Sequence, residues 1–200
     1  MKSFHLIYLF LLLSVSCFAQ QRHLSFMGIP INGTISSFEI KLKAKGVMPN
    51  TDINKSLPYG ERMYKGVYIG RKCSITVRYT GKTKTVYGIE IGFSDENQNE
   101  VNRFESDFIE GVKKKYKESH LISEENGLSD KIIYVYNTKG IDNFSWENVI
   151  GILRTEWMTI FAKPKDGYSG LKEKIIKSVK IYYIDKINTE LRDEENVSDI

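Results

Sequence analysis

The chain has 200 residues, of which 41% are hydrophobic, 27% charged and 12% aromatic, and its formal net charge is +4. These values are typical of a globular domain and exclude a disordered, fibrous or collagen-like protein. They also argue against a nucleic-acid partner, because nucleic-acid-binding proteins concentrate many basic side chains on one surface and this positive charge is small.

The first nineteen residues, 1–19, predict a signal peptide. Lys2 precedes an apolar run from Leu6 to Val15, and small residues follow this run. The run is shorter than a membrane-spanning helix, and its flanks are those of a cleaved export signal. We therefore expect an exported protein, periplasmic or extracellular, with no transmembrane span in its mature form.

Two cleavage sites are compatible with this segment. Cleavage after Ala19 would start the mature chain at Gln20 and leave a net charge of +3 on 181 residues. Cleavage before Cys17 would give a lipid-anchored outer-membrane protein, although Ser14 stands where a lipobox has a large aliphatic residue. We favour the first site, which leaves Cys73 as the sole cysteine and predicts a domain without an intramolecular disulfide.

A short strand and a helix are the first predicted elements of the mature chain. Polar and apolar residues alternate from His23 to Met27, which indicates a strand. Apolar residues spaced by three and four then predict a helix from about Ile35 to Gly46, since glycine commonly follows a helix C-terminus. Ser36 and Glu39 form a capping-box pattern at its start.

The segment between this strand and this helix matches a phosphate-binding loop only in its glycine spacing. Gly28 and Gly33 fit the G-x-x-x-x-G pattern, but Thr34 stands where the phosphate-contacting lysine belongs. Pro30 also lacks a backbone N–H that such a loop would use. We therefore interpret Thr34 or Ser36 as a helix cap and expect no nucleotide or other cofactor.

A β-hairpin is the clearest element further along the chain. Residues 47–62 contain two prolines and little periodicity, so we predict a loop there. Alternating residues from Val67 to Thr80 and from Tyr87 to Phe93 then predict two antiparallel strands with a turn at Gly81.

A long amphipathic helix follows this hairpin. Apolar residues at helical spacing, from Val101 through Phe104 and Phe108 to Tyr116, form its buried stripe. We predict a polar loop next (119–130), then four strands, 131–136, 146–153, 156–162 and 179–184, and a frayed acidic tail, 193–200.

This order of elements predicts one antiparallel α+β domain over residues 20–192, with about six to seven strands and two main helices. Strands in series, rather than alternating with helices, favour an antiparallel sheet. Each half reads as a helix followed by a meander, a pattern compatible with a duplicated unit, but the two halves share too little sequence identity to identify a repeat.

The residues that carry common chemistries are few. Cys73 lies on the apolar side of its strand, so we predict a buried structural thiol rather than a nucleophile activated by His23 or His120. The mature chain has no close cluster of histidines and acids, so we predict no metal site and no catalytic residues. The candidate binding surface is aromatic and consists of Trp146, Trp157 and Tyr168; the alternative places these rings in the core.

Three motifs resemble an uncharacterised family of small secreted proteins from Bacteroides-type bacteria. They are H-L-x-F-x-G-x-P-x-x-G-T-x-x-x-F at residues 23–38, G-x-x-C-x-I-x-V at residues 70–77, and Y-x-D-x-x-N at residues 183–188. The resemblance implies an envelope or extracellular location and an α+β fold, and it supplies no catalytic residues. The architecture is also similar to helix-plus-sheet modules of the β-lactamase-inhibitor kind, which bind proteins through the sheet.

These observations favour a non-enzymatic binding module of the envelope or extracellular space, with a protein or glycan partner. Its binding surface would be an exposed sheet face or the loops at 47–62 and 119–130. The alternatives are a small-substrate hydrolase with unrecognised carboxylate chemistry and a structural envelope lipoprotein anchored at Cys17.

Overall fold

A computed structural model describes residues 23–116, 120–123, 131–136, 146, 149–162 and 174–197. The described chain contains ten strands and four helices. In chain order they are β1 (Ser25–Phe26), β2 (Ile29–Pro30), α1 (Ile35–Ala44), β3 (Met48–Pro49), α2 (Thr51–Asn54), β4 (Glu61–Tyr68), β5 (Arg71–Tyr79), β6 (Val86–Asp95), α3 (Gln98–Lys115), β7 (His120–Ser123), β8 (Lys131–Tyr136), β9 (Val149–Ala162), β10 (Lys174–Asp185) and α4 (Lys186–Val197).

The main sheet has eight strands in the order β3-β4-β5-β6-β10-β9-β8-β7, and β1 and β2 form a separate hairpin. All of its strand pairs are antiparallel. Helix α1 precedes the meander β3–β6, and helix α3 precedes the meander β7–β10. The last strands of the two meanders, β6 and β10, pair at the centre of the sheet. The predicted antiparallel α+β fold is confirmed, with a helix-plus-meander arrangement in each half.

The two outermost strands lie in segments that we predicted to be loops. Strand β3 has two residues and β7 has four, so neither is long enough to show a clear alternation of apolar residues. The predicted strand from Val67 to Thr80 is two strands, because Ile69 and Gly70, both with positive φ, form a turn between β4, which begins at Glu61, and β5. Tyr64 is the one buried residue of β4. One buried residue gives no periodic signal, and the strand depends on its pairing with β5.

Two further elements near the C-terminus differ from the prediction. Strand β9 is continuous from Val149 to Ala162, because Thr155, in the predicted break, is buried and pairs with Ile181. The predicted frayed tail is helical as far as Val197. Its buried residues, Asn188 and Glu195, are polar, and an apolar stripe is the signal by which a helix is recognised.

The apolar core lies between one face of the sheet and the helices α1 and α3. Ile75, Ile91 and Ile181 form a row across the three central strands of this face. Phe104 of α3 packs against Phe93 of β6 with a ring-centroid distance of 4.6 Å. Helix α1 contributes a buried stripe of its own, Ile35, Phe38 and Leu42.

Of the two predicted caps, Thr34 is the one that caps α1; the predicted Ser36–Glu39 capping box is wrong, because Ser36 lies inside the helix and Glu39 contacts Lys43, Arg62 and Tyr64. The Thr34 side chain accepts a hydrogen bond from the Ser37 backbone N–H at 3.4 Å, and Gly46 follows the helix with φ +78°. The left-handed φ of Gly46 is a conformation that glycine adopts without steric cost. The glycine-containing segment 28–34 therefore leads into a structural helix.

The side chains that alternate with the core row form the opposite surface, which we call the open face. It includes Arg78, Glu90, Lys180 and Glu156, on four adjacent strands on the side away from α1 and α3. Within the described part of the chain, none of the helices is both long and apolar enough to cross a membrane.

Candidate functional site

A network of ion pairs connects strands at the centre of the open face. Arg78 contacts Glu61 of β4 through Nε at 3.1 Å and Glu90 of β6 through Nη2 at 2.7 Å. Lys180 of β10 contacts the other carboxylate oxygen of Glu90 at 2.8 Å. Glu90 is therefore held between two cations, with 14% of its side chain exposed. The charges on this surface are fixed in position by one another.

Tyr182 extends this network from β10 to β9. Its hydroxyl donates a hydrogen bond to Glu156 at 2.9 Å. The guanidinium carbons of Arg78 and Arg154 lie 6.0 and 5.9 Å from its ring centroid, within the range of cation–π attraction. Burial and the hydrogen bond to Glu156 raise the pKa of Tyr182, so the phenol stays neutral at physiological pH.

Two glycines flank Glu90 on strand β6. Gly88 and Gly92 share its face because side chains on a strand alternate with a period of two. A Cβ atom at Gly92 would lie 2.7 Å from Ser74 Oγ, which is too close for a normal contact. Glycine in a strand often marks a place where another chain approaches the backbone closely. At Gly92 the neighbouring chain is β5 of the same sheet, whose Ser74 occupies the space of a Cβ atom, and Gly88 is buried.

An apolar groove lies on the same face, at its β3–β4 edge. Met48, Ile53 and Val67 are 58%, 40% and 55% exposed, values that are high for large apolar side chains. The groove encloses about 570 Å³, and Met63, Lys65 and Lys72 are also among its lining residues. We call it the edge groove. Part of the predicted binding loop 47–62 forms one of its walls.

Trp146, one of the three predicted aromatic binding residues, is 47% exposed. Its ring makes an edge contact with Tyr134 at 6.4 Å between centroids. Lys186 of α4 donates a hydrogen bond to the Trp146 carbonyl oxygen at 2.8 Å, and its ammonium lies 5.2 Å from the indole centroid. The ring is thus fixed near the start of α4.

The other two predicted aromatics do not join Trp146 in one described surface. Trp157 lies on the helix side of β9, where it packs against the core and its indole N–H donates to Glu105 of α3 at 3.1 Å. Tyr168 lies outside the described residues. The aromatic pattern alone did not distinguish the two sides of β9, because that distinction depends on the register between β9 and β10.

A histidine–aspartate pair joins the two ends of the domain. Asp185 is completely buried, and its carboxylate lies 3.0 Å from His23 Nδ1. The same carboxylate accepts hydrogen bonds from the backbone N–H groups of Leu24 at 2.9 Å and Asn188 at 3.2 Å. The hydrogen bond that His23 donates to Asp185 raises the pKa of His23.

A carboxylate orients a histidine in the same way in catalytic triads. Around His23, however, no hydroxyl or thiol of the described residues hydrogen-bonds to the imidazole. The backbone groups bound by Asp185 show that this carboxylate fastens the N-terminal segment to β10 and α4. We therefore assign the pair a structural role.

Residues of the first and third sequence motifs meet at the same junction. The Phe26 and Tyr183 rings are 5.5 Å apart and lie edge to face. The Asn188 amide donates to the carbonyl oxygens of Ile31 and Val86, both at 2.8 Å. Packing and hydrogen bonding of the N-terminal hairpin thus account for these motif residues without a catalytic role.

Cys73 is buried with 6% of its surface exposed, as the sequence predicts. Burial raises the pKa of its thiol to about 11, so the nucleophilic thiolate is scarce at physiological pH. Over the described residues, no three histidine, cysteine or acidic side chains are close enough together to hold a metal ion.

Comparisons with protein-family models, curated proteins and solved structures found no match for this chain. The resemblance to a secreted Bacteroides-type family stays a prediction, and the functional argument depends on the site itself. Alternation in β5 already places Ser74, Thr76 and Arg78 on a polar face. What the sequence lacked was the pairing of β6 with β10, which brings Lys180 to Glu90.

Proposed function

We propose that this protein is an exported, non-enzymatic module that binds another protein through the open face of its sheet. The observation that supports the proposal most directly is the ion-pair network of Arg78, Glu90 and Lys180, on the side of the sheet away from α1 and α3. Export is the part of the proposal that the first nineteen residues predict.

A surface of fixed charges is suited to a protein partner. Both signs of charge occur in defined positions around Tyr182, so they can complement the charge pattern of one partner and repel others. Because these side chains are already ordered by their contacts, less conformational entropy is lost when they bind. Tyrosine and arginine are also the residue types enriched at binding hot spots.

The buried acids of the described chain favour binding over hydrolysis. Glu105 binds Lys131, Thr155 and Trp157, and Glu195 binds the backbone and side chain of Thr83. Each of these carboxylates, like the buried Asp185, is therefore saturated by structural donors, and the three lie at different places in the fold. A carboxylate-dependent hydrolase requires two acids that converge on one substrate bond.

Site-specific photocrosslinking in cells of the source organism tests the proposal. A photoreactive amino acid replaces Tyr182 on the open face of the full chain, or Ile40, which is 70% exposed on α1, as the control. We expect a discrete protein adduct from position 182 and none from position 40.

A matched pair of charge reversals tests whether the adduct depends on the network. Lys180→Glu should reduce the adduct at least tenfold because it places a repulsive charge beside Glu90. Lys41→Glu, an exposed lysine on α1, should leave it unchanged. An equal adduct from position 40, or no protein adduct from position 182, would contradict the proposal.

A further inference from the structure

We infer that the edge groove receives an apolar segment of the partner protein that carries acidic side chains beside its apolar ones. The inference rests on the proposed function and adds to it the chemistry of the partner.

The apolar part of the lining is large and adaptable. Met48, Ile53 and Val67 are all more than one-third exposed, and Met63 also lines the groove. The volume of about 570 Å³ falls within the range of roughly 300–1,000 Å³ that is usual for binding clefts. Methionine side chains are flexible and polarizable, so they adjust to the shape of an apolar partner.

The polar part of the lining is positively charged. Lys65 pairs directly with Met48 across β3 and β4, and Lys72 pairs directly with Val67 across β4 and β5. Each lysine therefore stands beside an exposed apolar side chain on the same face. Neither lysine forms an ion pair with any described residue, and no acidic residue lines the groove. The complementary segment would carry apolar and acidic side chains next to each other.

The groove is continuous with the proposed interface. Lys72 and Ser74, which line the groove, occupy the same face of β5 as Arg78. A partner bound over the ion-pair network can therefore reach the groove without passing round the sheet edge. An apolar area beside fixed charges is the usual composition of a protein interface.

Two other occupants fit the groove less well. Binding to an anionic membrane usually requires clusters of about four to eight basic residues, whereas this groove has two. A second copy of this chain offers Glu190, Asp193, Glu194 and the exposed Val197 on α4. Glu190 and Asp193 already contact Lys186 and Arg192, at 3.9 and 2.6 Å, so the charge of two of these three acids is partly neutralised.

Selection from a random peptide display library on the full-length protein tests the inference. We expect the enriched peptides to combine large apolar residues with aspartate or glutamate. A synthetic copy of an enriched peptide should bind the wild type at least tenfold more tightly than the Lys65→Glu/Lys72→Glu variant. The matched control, Lys41→Glu/Lys45→Glu, reverses two exposed lysines at α1 and should bind like the wild type.

A second variant separates loss of charge from loss of the apolar surface. Val67 is 55% exposed, so Val67→Ser should lower the affinity for the same peptide while the thermal unfolding temperature stays close to that of the wild type. Absence of enrichment, enriched peptides without acids, or equal binding by the charge-reversed variant would overturn the inference.

Two parallel assays test the two alternative occupants of the groove, an anionic membrane and a second copy of this chain. Cosedimentation with phosphatidylglycerol vesicles that is lost in Lys65→Glu/Lys72→Glu would assign the groove to a membrane. Self-association in sedimentation velocity that is lost in this variant and in Glu190→Lys/Glu194→Lys would assign it to a second copy. Either result overturns the inference. If crosslinking from position 182 persists in Lys65→Glu/Lys72→Glu, the inference about the groove fails while the proposed function stands.

Discussion

The imidazole of His23 and the buried carboxylate of Asp185 are 3.0 Å apart although 162 positions separate them in the chain. The same carboxylate accepts the backbone N–H of Leu24 at 2.9 Å, so it holds both the side chain and the backbone of the N-terminal segment. This segment contributes Leu24 and Phe26 to the core, and both are completely buried. The pair therefore closes the domain at the point where its first and last elements meet.

The contribution of His23 to stability should depend on pH. The pKa of His23 is raised in the folded protein, chiefly by the hydrogen bond that its imidazole donates to Asp185. The stabilising effect is therefore complete below the unfolded pKa of about 6.5 and is lost as the pH rises through the folded pKa. We expect His23→Gln to lower the free energy of unfolding more at about pH 5.5 than at about pH 9. Urea denaturation at both values measures this. A difference that grows toward alkaline pH would contradict the role of the pair.

Gly151→Ala should strongly destabilise the same junction. A Cβ atom at this position of β9 would lie 2.6 Å from Leu24 Cγ and 2.5 Å from the carbonyl oxygen of Ile184. The backbone oxygen belongs to a paired strand and is not free to move, so we expect a loss of about 3 kcal/mol.

The matched control for this substitution is Gly111→Ala, because a Cβ atom at this helical position meets no other atom within 4 Å. Chemical denaturation should show no loss of stability for Gly111→Ala. A slight gain is expected, because alanine has a higher helix propensity than glycine. If the Gly151→Ala protein unfolds at the same denaturant concentration as the wild type, the close packing of Leu24 against β9 does not contribute to the stability of the fold.

The central hairpin and the two main helices were predictable because their apolar residues are periodic. Ile75 and Val77 alternate with polar residues on β5, and Phe104 and Phe108 are one helical turn apart on α3. These patterns report burial on one face, which is the strongest local signal that a sequence contains.

Elements held by polar contacts were not predictable in the same way. Helix α4 is fixed by Asn188 and Glu195, whose partners lie more than one hundred residues away along the chain. The open-face site has the same character, since Glu90 and Lys180 become neighbours only through the pairing of β6 with β10. Such pairings depend on the whole topology, and alternation within one segment does not specify them.

Glu195→Gln should destabilise the C-terminal helix at neutral pH. The Glu195 carboxylate accepts hydrogen bonds from the Lys82 backbone N–H at 2.8 Å and from the Thr83 backbone and hydroxyl at 3.2 and 2.5 Å. Burial alone would raise the pKa of Glu195, but these hydrogen bonds lower it to about 2. We expect the amide to cost about 1–2 kcal/mol at neutral pH, because it replaces charge-assisted hydrogen bonds with weaker ones.

The cost of Glu195→Gln should also decrease in acid. The depressed pKa means that the stabilisation is present above the unfolded value of 4.5 and is lost as the pH falls toward 2. The free energy of unfolding of both proteins, measured from neutral pH to about pH 2.5, should therefore converge. Glu194→Gln, at the exposed neighbouring residue, should match the wild type throughout. A constant difference across this range would contradict the assigned contacts.

Glu105 attaches helix α3 to the far half of the sheet, and Glu105→Gln should weaken that attachment. The carboxylate is 4% exposed and accepts hydrogen bonds from Lys131 at 2.7 Å, from the Thr155 hydroxyl at 2.7 Å and from the Trp157 indole at 3.1 Å. An amide of the same shape either presents its NH₂ group to the Lys131 ammonium or turns that group toward the other two donors. Two donors then face each other in a buried site, so we expect a loss of about 2–3 kcal/mol.

Trp157 reports this change directly. In a Trp146→Phe background its fluorescence should shift to longer wavelength in the folded Glu105→Gln protein, as water gains access to the indole. A double-mutant cycle with Lys131→Met should give a coupling energy of about 1–2 kcal/mol, because the methionine removes the donor that the amide opposes. Additive effects of the two substitutions would show that Glu105 and Lys131 contribute independently, and the buried ion pair would then not be what attaches α3 to β8.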